Sequence, residues 1–444
     1  MGYLVKFICA AGVVLSPAAA QASGFALREY SAAGQGNAFA GATASAEDIT
    51  FMAFNPAGLT LHPGEHASAG ATAILPTATF SKTRATTVLG GTIGGGTGGD
   101  GFGKAALAPS VFYSRQMSEN VFAGASLTVP FGLATNYDPD WVGRYHSIKS
   151  DIRTYNFNPV IAFKATPQLS LGGGVQVAYT RGVLSNAVDF GTLDIANFSN
   201  ANGGVATQND GLATSEGDAL SVGYNFGLLW QFRPDTRVGF AYRSMLHSRL
   251  EGSASFNNST VGNAISGSSG AFVKTGNKAE LNLPESASLG IHHEVSPRLA
   301  VMAEAAWTAW SRVKELRVDF DNSAQSDNVT RSNWHNTMFL AVGATYKAND
   351  KWLLRAGVAY DESPIPNATR TPRVPDEDRT WISIGARYQV ASGATLDFGY
   401  THIFFKDASL SLTTADTNNN LRGNLSGSYT VSADILAVHY NQNF

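Results

Sequence analysis

Two arginines have the plainest binding chemistry in this sequence: Arg181 in "VAYTRGV" and Arg317 in "KELRVDF". A guanidinium donates paired hydrogen bonds to a carboxylate or phosphate. Either residue therefore suits an acidic ligand, and either equally suits a lipopolysaccharide phosphate or a neighbouring acid. Catalytic groupings are missing. His146, His247, His402 and the acids Asp376, Glu377 and Asp378 are scattered along the chain with no spacing that builds a triad. His292 and His293 are adjacent, so on a strand their rings face opposite sides and cannot share a metal. "GGDGFGK" (98–104) approaches a phosphate-binding loop, but Ala105 replaces the metal-binding hydroxyl residue. "GQGNAFAG" (34–41) has no strand before it, so it is not a dinucleotide fingerprint. The expectation is a protein that is not an enzyme, with no cofactor and no metal.

The elements that carry these residues begin after a leader. Lys6 is a positive n-region, Phe7 to Leu15 an apolar core, and Ala20-Gln21-Ala22 a small-x-small site, which together predict a signal peptide over 1–22 cut before Ser23. The only cysteine, Cys9, leaves with it, so disulfides are excluded from the mature chain. No later stretch reaches the ~18 apolar residues of a spanning helix. The chain is 44% hydrophobic and only 15% charged, with 46 glycines and a net charge of -3. That composition excludes disorder and gives no electrostatic footprint for nucleic acid.

Strict alternation is the main signal. In "LSLGGGVQVAY" (169–179) and "RTWISIGARYQV" (379–390) apolar residues recur at every second position, over lengths that cross a bilayer at a tilt. Fourteen such segments are predicted, at 66–80, 105–116, 119–130, 150–165, 168–182, 218–233, 236–250, 279–294, 297–317, 334–347, 350–361, 378–391, 394–406 and 428–444. The connections between them alternate short and long without exception. The long ones are 81–104, 131–149, 183–217, 251–278, 318–333, 362–377 and 407–427. Short periplasmic turns and long extracellular loops are the habit of outer-membrane barrels, with both termini then periplasmic. The fold class is all-β: a transmembrane antiparallel β-barrel of about 14 strands, spanning 66–444.

The last strand supplies a lipid-facing row at Leu436, Val438, Tyr440 and Gln442, and Tyr113, Trp230, Tyr242, Trp352, Tyr360 and Trp381 suit aromatic girdles. In Leu299–Trp310 and Val222–Phe232 both faces carry apolar residues, which points to a partly apolar interior. Residues 23–65 do not alternate and are rich in Gly, Ala and Phe. They read as a hatch, a plug inside the barrel. Within it, Asn55-Pro56-Ala57 forms a rigid turn that redirects the chain toward the first strand.

"SGFALREYSAAGQGNAFAG" (23–41) followed by "AEDITFMAFNPAGLT" (46–60) resembles the hatch of the FadL-type outer-membrane transporters of long-chain fatty acids and aromatic hydrocarbons. The likeness continues at "PFGLATNYDPDWVGRY" (130–145), "AYRSMLHSRLEG" (241–252), "LNLPESASLGIHH" (281–293) and "YDESPIPNATRTPRVPDEDRTWISIG" (360–385), and so spans the mature chain. The resemblance implies passive transport of a hydrophobic compound, a long-chain fatty acid or a monoaromatic hydrocarbon, captured among the loops 183–217 and 251–278. It also implies gating by the hatch from Ser23, Gly24 and Phe25, and sideways exit beside the third strand, where Gly124, Pro130 and Gly132 can kink or unpair the wall. Arg317 falls where relatives place a basic residue in the pocket, and Arg181 is its companion. The implied partners are the hydrophobic ligand, outer-membrane lipid and lipopolysaccharide, with the protein a monomer. Two other readings stand beside this one: an outer-membrane lipid hydrolase, and an adhesin or phage receptor.

Overall fold

The computed structural model describes residues 24–99, 105–416, 419 and 421–444. The expected leader, Ser23 and most of the "GGDGFGK" loop lie outside the described residues. Fourteen antiparallel strands form the wall. They are β1 (Glu65–Thr86), β2 (Ala106–Gln116), β3 (Val121–Asn136), β4 (Lys149–Lys164), β5 (Leu169–Asp189), β6 (Asp210–Arg233), β7 (Thr236–Arg243, continuing as Leu246–Asn257) and β8 (Thr275–Leu283, Ser286–Ser296). Then come β9 (Leu299–Thr308, Glu315–Phe320), β10 (Asn328–Arg331, Thr337–Lys347), β11 (Trp352–Asp361), β12 (Arg379–Ala391), β13 (Ala394–Phe405, Ala408–Leu412) and β14 (Asn424–Asn443). β1 pairs with β14 from His66↔Asn443 to Thr86↔Asn424, which closes the barrel and leaves no free sheet edge there.

Several strands run past their expected ends on the long-loop side, β1 to Thr86, β5 to Asp189 and β7 to Asn257. These extensions, "SKTRAT" (81–86), "VLSNAVD" (183–189) and "EGSASFN" (251–257), lack the sustained apolar alternation that marks the lipid-embedded part. Five strands are broken once. The break in β9 holds a short turn, Trp310–Arg312, that drives Trp310 into the interior.

Inside and outside follow the pleat. Val222, Tyr224, Phe226, Trp230 and Phe232 are exposed on the outer face of β6, while Leu229 is buried inward. Outward apolar residues are stable only against lipid hydrocarbon. Trp381 departs from the girdle expectation. It is fully buried and stacks edge-on against Phe39 of the hatch and Phe339 of β10, because it alternates with the outward Ile382 and Ile384.

The hatch fills the lumen. Ala38, Phe39, Ala40 and Ala42 share one core with Met302, Ala306, Phe339 and Ile435 of the wall. Its three short helical turns are each capped by a side chain: Ser31 ahead of Ala32–Gly36, Asp48 ahead of Ile49–Ala53, and Asn55 ahead of Pro56–Leu61. Asn55-Pro56-Ala57 is thus the start of a 3-10 turn, with Pro at the first helical position, where its missing N–H costs nothing. The Asn55 Oδ1 accepts from the Ala57 amide at 3.0 Å. Its Nδ2 donates to the Thr43 carbonyl at 2.7 Å and to the Leu228 carbonyl of β6 at 2.9 Å, which ties the hatch to the wall. Gly227 makes this approach possible, since a Cβ there would lie 2.0 Å from Asn55 Oδ1.

Candidate transport pathway

The lower hatch is fixed by buried charge. Arg355, fully buried, donates to Glu47 at 3.1 Å and to Asp397 at 2.7 Å. Arg387 reaches Asp48 at 2.5 Å and Asp397 at 2.9 Å. Arg243 donates to the Ala53 carbonyl at 2.6 Å. Buried charges are costly unless paired, so the Arg355–Glu47 and Arg387–Asp48 ion pairs resist separation of hatch from wall. The Arg243 bond to the Ala53 carbonyl stands beside them, while Asp397 holds the two wall arginines together.

The upper hatch is held differently. Phe25 is buried among three rings, with centroid distances of 4.9 Å to Trp310, 5.8 Å to Trp334 and 6.0 Å to Phe131. The Gly24 amide donates to Asp376 Oδ2 at 3.0 Å, and Arg379 and Ser363 hold the same carboxylate. Gly24 has φ +64, and an added Cβ would meet Trp310 and Trp334 at 3.0 Å, so only glycine suits the position.

This segment covers a break in the wall. β2 pairs with β3 only from Val111↔Leu127 to Gln116↔Phe122, although β2 continues along β1 as far as Ala106. β3 continues along β4 to Asn136↔Lys149, with a bulge between Thr128 and Phe131. At that bulge Pro130, which has no amide to donate, accompanies four consecutive buried residues, Pro130 to Leu133, so the strand turns inward. The edge that β2 leaves unpaired is taken by the hatch. Leu27 donates to the Pro130 carbonyl at 2.8 Å, Gly132 donates to the Phe25 carbonyl at 2.9 Å, and Ala26 bridges Phe131. Pro130 and Gly132 therefore stand at the break. Gly124 does not: it pairs with Ser114 below it and leaves room for Leu59 and Met52 of the hatch.

A chamber and a wider cleft lie above the hatch. The chamber, of about 70 Å³, is lined by Phe25, Leu133, Ile152, Leu281, Trp334 and Val374 among others, so Phe25 forms part of its wall. Above it the cleft, of about 430 Å³, opens among the long loops, with Leu193, Phe198, Phe256, Phe272 and Phe320 on its sides. Two loop helices, Phe190–Asn197 and Thr260–Ser269, pack together beside it through Phe190, Val261 and Ile265.

Neither expected arginine lines these cavities. Arg181 continues the outward row of Val175 and Tyr179 and pairs with the exposed Glu216 at 3.3 Å. Arg317 bonds Glu315 at 2.8 Å and Asp327 at 3.0 Å, while its neighbours Leu316 and Val318 face the cleft. Both guanidinia are satisfied on or near the outer face, which removes them from the ligand pocket. The arginine that does line both cavities is Arg373, in the loop after β11, which sequence reasoning missed. No periodic pattern exists in that loop to say that it folds into the lumen. Among the described residues no group of three or more His, Cys, Asp or Glu side chains could hold a metal ion.

The family model described as "Outer membrane protein transport protein (OMPP1/FadL/TodX)" matches residues 13–444. The chain belongs to this family. It is 28% identical to the long-chain fatty acid transport protein of Escherichia coli K12, over 90% of this chain and 91% of that one. A FadL homologue of Pseudomonas aeruginosa superposes with a TM-score of 0.87 at 28% identity, covering 95% of this chain and all of that one. The toluene transporter TodX of Pseudomonas putida shares the fold, with a TM-score of 0.70 at 18% identity over 94% and 99% of the two chains. This protein is an outer-membrane β-barrel transporter of hydrophobic substrates.

Proposed function

We propose that the protein carries long-chain fatty acids passively across the outer membrane and releases them sideways into the bilayer. The mature chain begins at Ser23 and acts as a monomer embedded in outer-membrane lipid and lipopolysaccharide. A ligand enters the cleft among the loops, passes to the apolar chamber, and displaces Phe25 and Gly24 from their seats. Withdrawal of residues 24–27 then uncovers the β2–β3 break. Asn55, Pro56 and Ala57 stay anchored to β6 while the upper hatch moves.

The observation that carries this reading is the coincidence of chamber, plug and break at one residue. Phe25 lines the chamber, and its carbonyl also accepts the Gly132 amide at the unpaired edge of β3. Filling the chamber and opening the wall are therefore coupled through one side chain and its backbone. Release downhill into lipid needs no ATP, since each CH₂ moved out of water gains ~0.8 kcal/mol. The long-chain choice leans on the relative named for such transport, which matches nearly the whole chain. The test is uptake of labelled oleate, beside toluene, in cells that lack their own such transporter and display this protein. Oleate uptake supports the reading. Toluene uptake alone would make the substrate a monoaromatic hydrocarbon, and uptake of neither would reopen the hydrolase and adhesin readings.

A further inference from the structure

The lipid-facing surface is uneven around the barrel. On β6 the outward apolar row runs unbroken from Phe232 to Leu220, about 40 Å along the strand. On β14 the same row holds only Leu436, Val438 and Tyr440, and on β1 it ends at Leu75. Beyond those ends the outward positions turn polar in register. Thr77, Thr79 and Ser81 of β1 stand directly opposite Ser432, Thr430 and Ser428 of β14. Phe80, Tyr429, Val431 and Ala433, between them, are buried inward, so the three hydroxyl pairs share the outer face.

The charges on this face separate along the strands. Asp434 sits at the boundary, opposite Leu75, where its Oδ1 accepts from Tyr400 Oη at 2.7 Å and lies 2.8 Å from His402 Nδ1. Asp407 accepts from Thr430 Oγ at 2.9 Å, and Lys406 beside it is held by Asp378. At the extracellular end of β1, Lys82 and Arg84 are exposed and have no side-chain partner among the described residues. Cations on the other side of the rim are matched: Arg181 with Glu216, Arg249 with Glu251 and Lys278 with Asp321. A bilayer thick enough to cover the β6 row presses hydrocarbon onto the polar face of β14 and β1. That is costly unless the head of a lipid meets it.

We propose that the outer face of β13, β14 and β1 is a binding site for the phosphorylated sugar head of an outer-leaflet lipopolysaccharide. Its acyl chains lie on Leu75, Leu436 and Phe404. Its sugar hydroxyls meet the three hydroxyl pairs and donate to Asp407 and Asp434, and a phosphate lies against Arg84 and Lys82. A phospholipid head offers a phosphate but no sugar to cover the hydroxyl rows below it. The surface lies outside the barrel, so it stands or falls apart from the transport reading.

The test titrates the purified full chain, in a nonionic detergent, with fluorescently labelled rough lipopolysaccharide, the same lipid stripped of phosphate, and phosphatidylglycerol. The intact lipopolysaccharide is expected to bind most tightly, with a loss of about tenfold when its phosphates are removed. The double variant Lys82→Ser, Arg84→Ser should bind the intact lipid about tenfold more weakly and should no longer distinguish the two forms. Thr77→Val, Thr79→Val should weaken both forms alike, by about threefold. Arg181→Ser, Arg249→Ser removes two cations from the β5–β7 side and should bind as the wild type does. All six positions are exposed, so the barrel is expected to fold in each variant. Equal losses in the two cation variants would mean that any rim charge suffices, and would overturn the site. So would a phosphate preference that survives in Lys82→Ser, Arg84→Ser, or phosphatidylglycerol binding as tight as that of lipopolysaccharide. Oleate uptake by every variant is expected at the wild-type level, so failure of the site leaves the transport reading intact.

Discussion

The Leu27 amide of the hatch donates to the Pro130 carbonyl of β3 at 2.8 Å, at a level of the wall where β2 has already stopped pairing with β3. The plug thus serves as a short substitute strand. Backbone groups within a bilayer must be satisfied by protein, so the break is stable only while residues 25–27 occupy it or while something else shields its edge. This couples hatch position to wall integrity without any hinge in the barrel.

Phe25 is the anchor of that substitute strand. Phe25→Ala removes a buried ring packed against Phe131, Trp310 and Trp334, a loss of roughly 3–5 kcal/mol for a full cavity. Hydrogen exchange at Leu27 and Gly132 should accelerate by at least a hundredfold, with β12 to β14 unchanged. Unaltered exchange at Gly132 would show that Phe25 does not hold the edge.

Gly227 tests the anchoring of the middle hatch. Gly227→Val places side-chain atoms where Asn55 Oδ1 now sits, so the Asn55 bonds to Leu228 and Thr43 must break. The barrel should still form, because β6 keeps its neighbours β5 and β7. Cells displaying the variant should become permeable to small hydrophilic dyes that the wild type excludes. An impermeable, fully folded variant would mean that the hatch seats without that contact.

Arg355 tests the lower hatch. Arg355→Met leaves Glu47 buried with only Arg387 near it and weakens the shared pairing of Asp397. Removing one member of a buried ion network costs about 3–5 kcal/mol. The urea midpoint of the refolded protein should fall accordingly, and a shift worth less than about 0.5 kcal/mol would remove the network from the account of hatch retention.

Much of this architecture was legible beforehand, because a barrel strand writes its two environments into alternate residues. The fourteen wall strands and the order of turns and loops follow from that. Leu171, Val175 and Tyr179 already put Arg181 on the outward row, and Ile382 and Ile384 put Trp381 inward, so the pleat held both corrections. Arg317 was harder. The turn at Trp310–Arg312 interrupts β9, and parity cannot be counted across it. Arg373 was out of reach, since it sits between Pro372 and Val374 in an irregular loop whose inward course depends on contacts with Lys149, Ser150 and Asn186, distant in sequence. The β2–β3 break was half visible: Pro130 and Gly132 flag a kink, but only pairing shows where β2 stops.

The most direct test of the account is a reversible lock across the break. Ala26 and Phe131 form an antiparallel bridge flanked by the Leu27–Pro130 and Gly132–Phe25 bonds, a directly opposed pair at a separation a disulfide can span. With Cys9 expected to leave with the leader, an Ala26→Cys, Phe131→Cys double variant should carry no competing thiol. Oleate uptake would be measured in cells displaying this variant, oxidised and then reduced. The account predicts uptake near background when oxidised and at least a tenfold recovery on reduction. Equal uptake in both states, with the disulfide verified, would contradict release through the wall at β3.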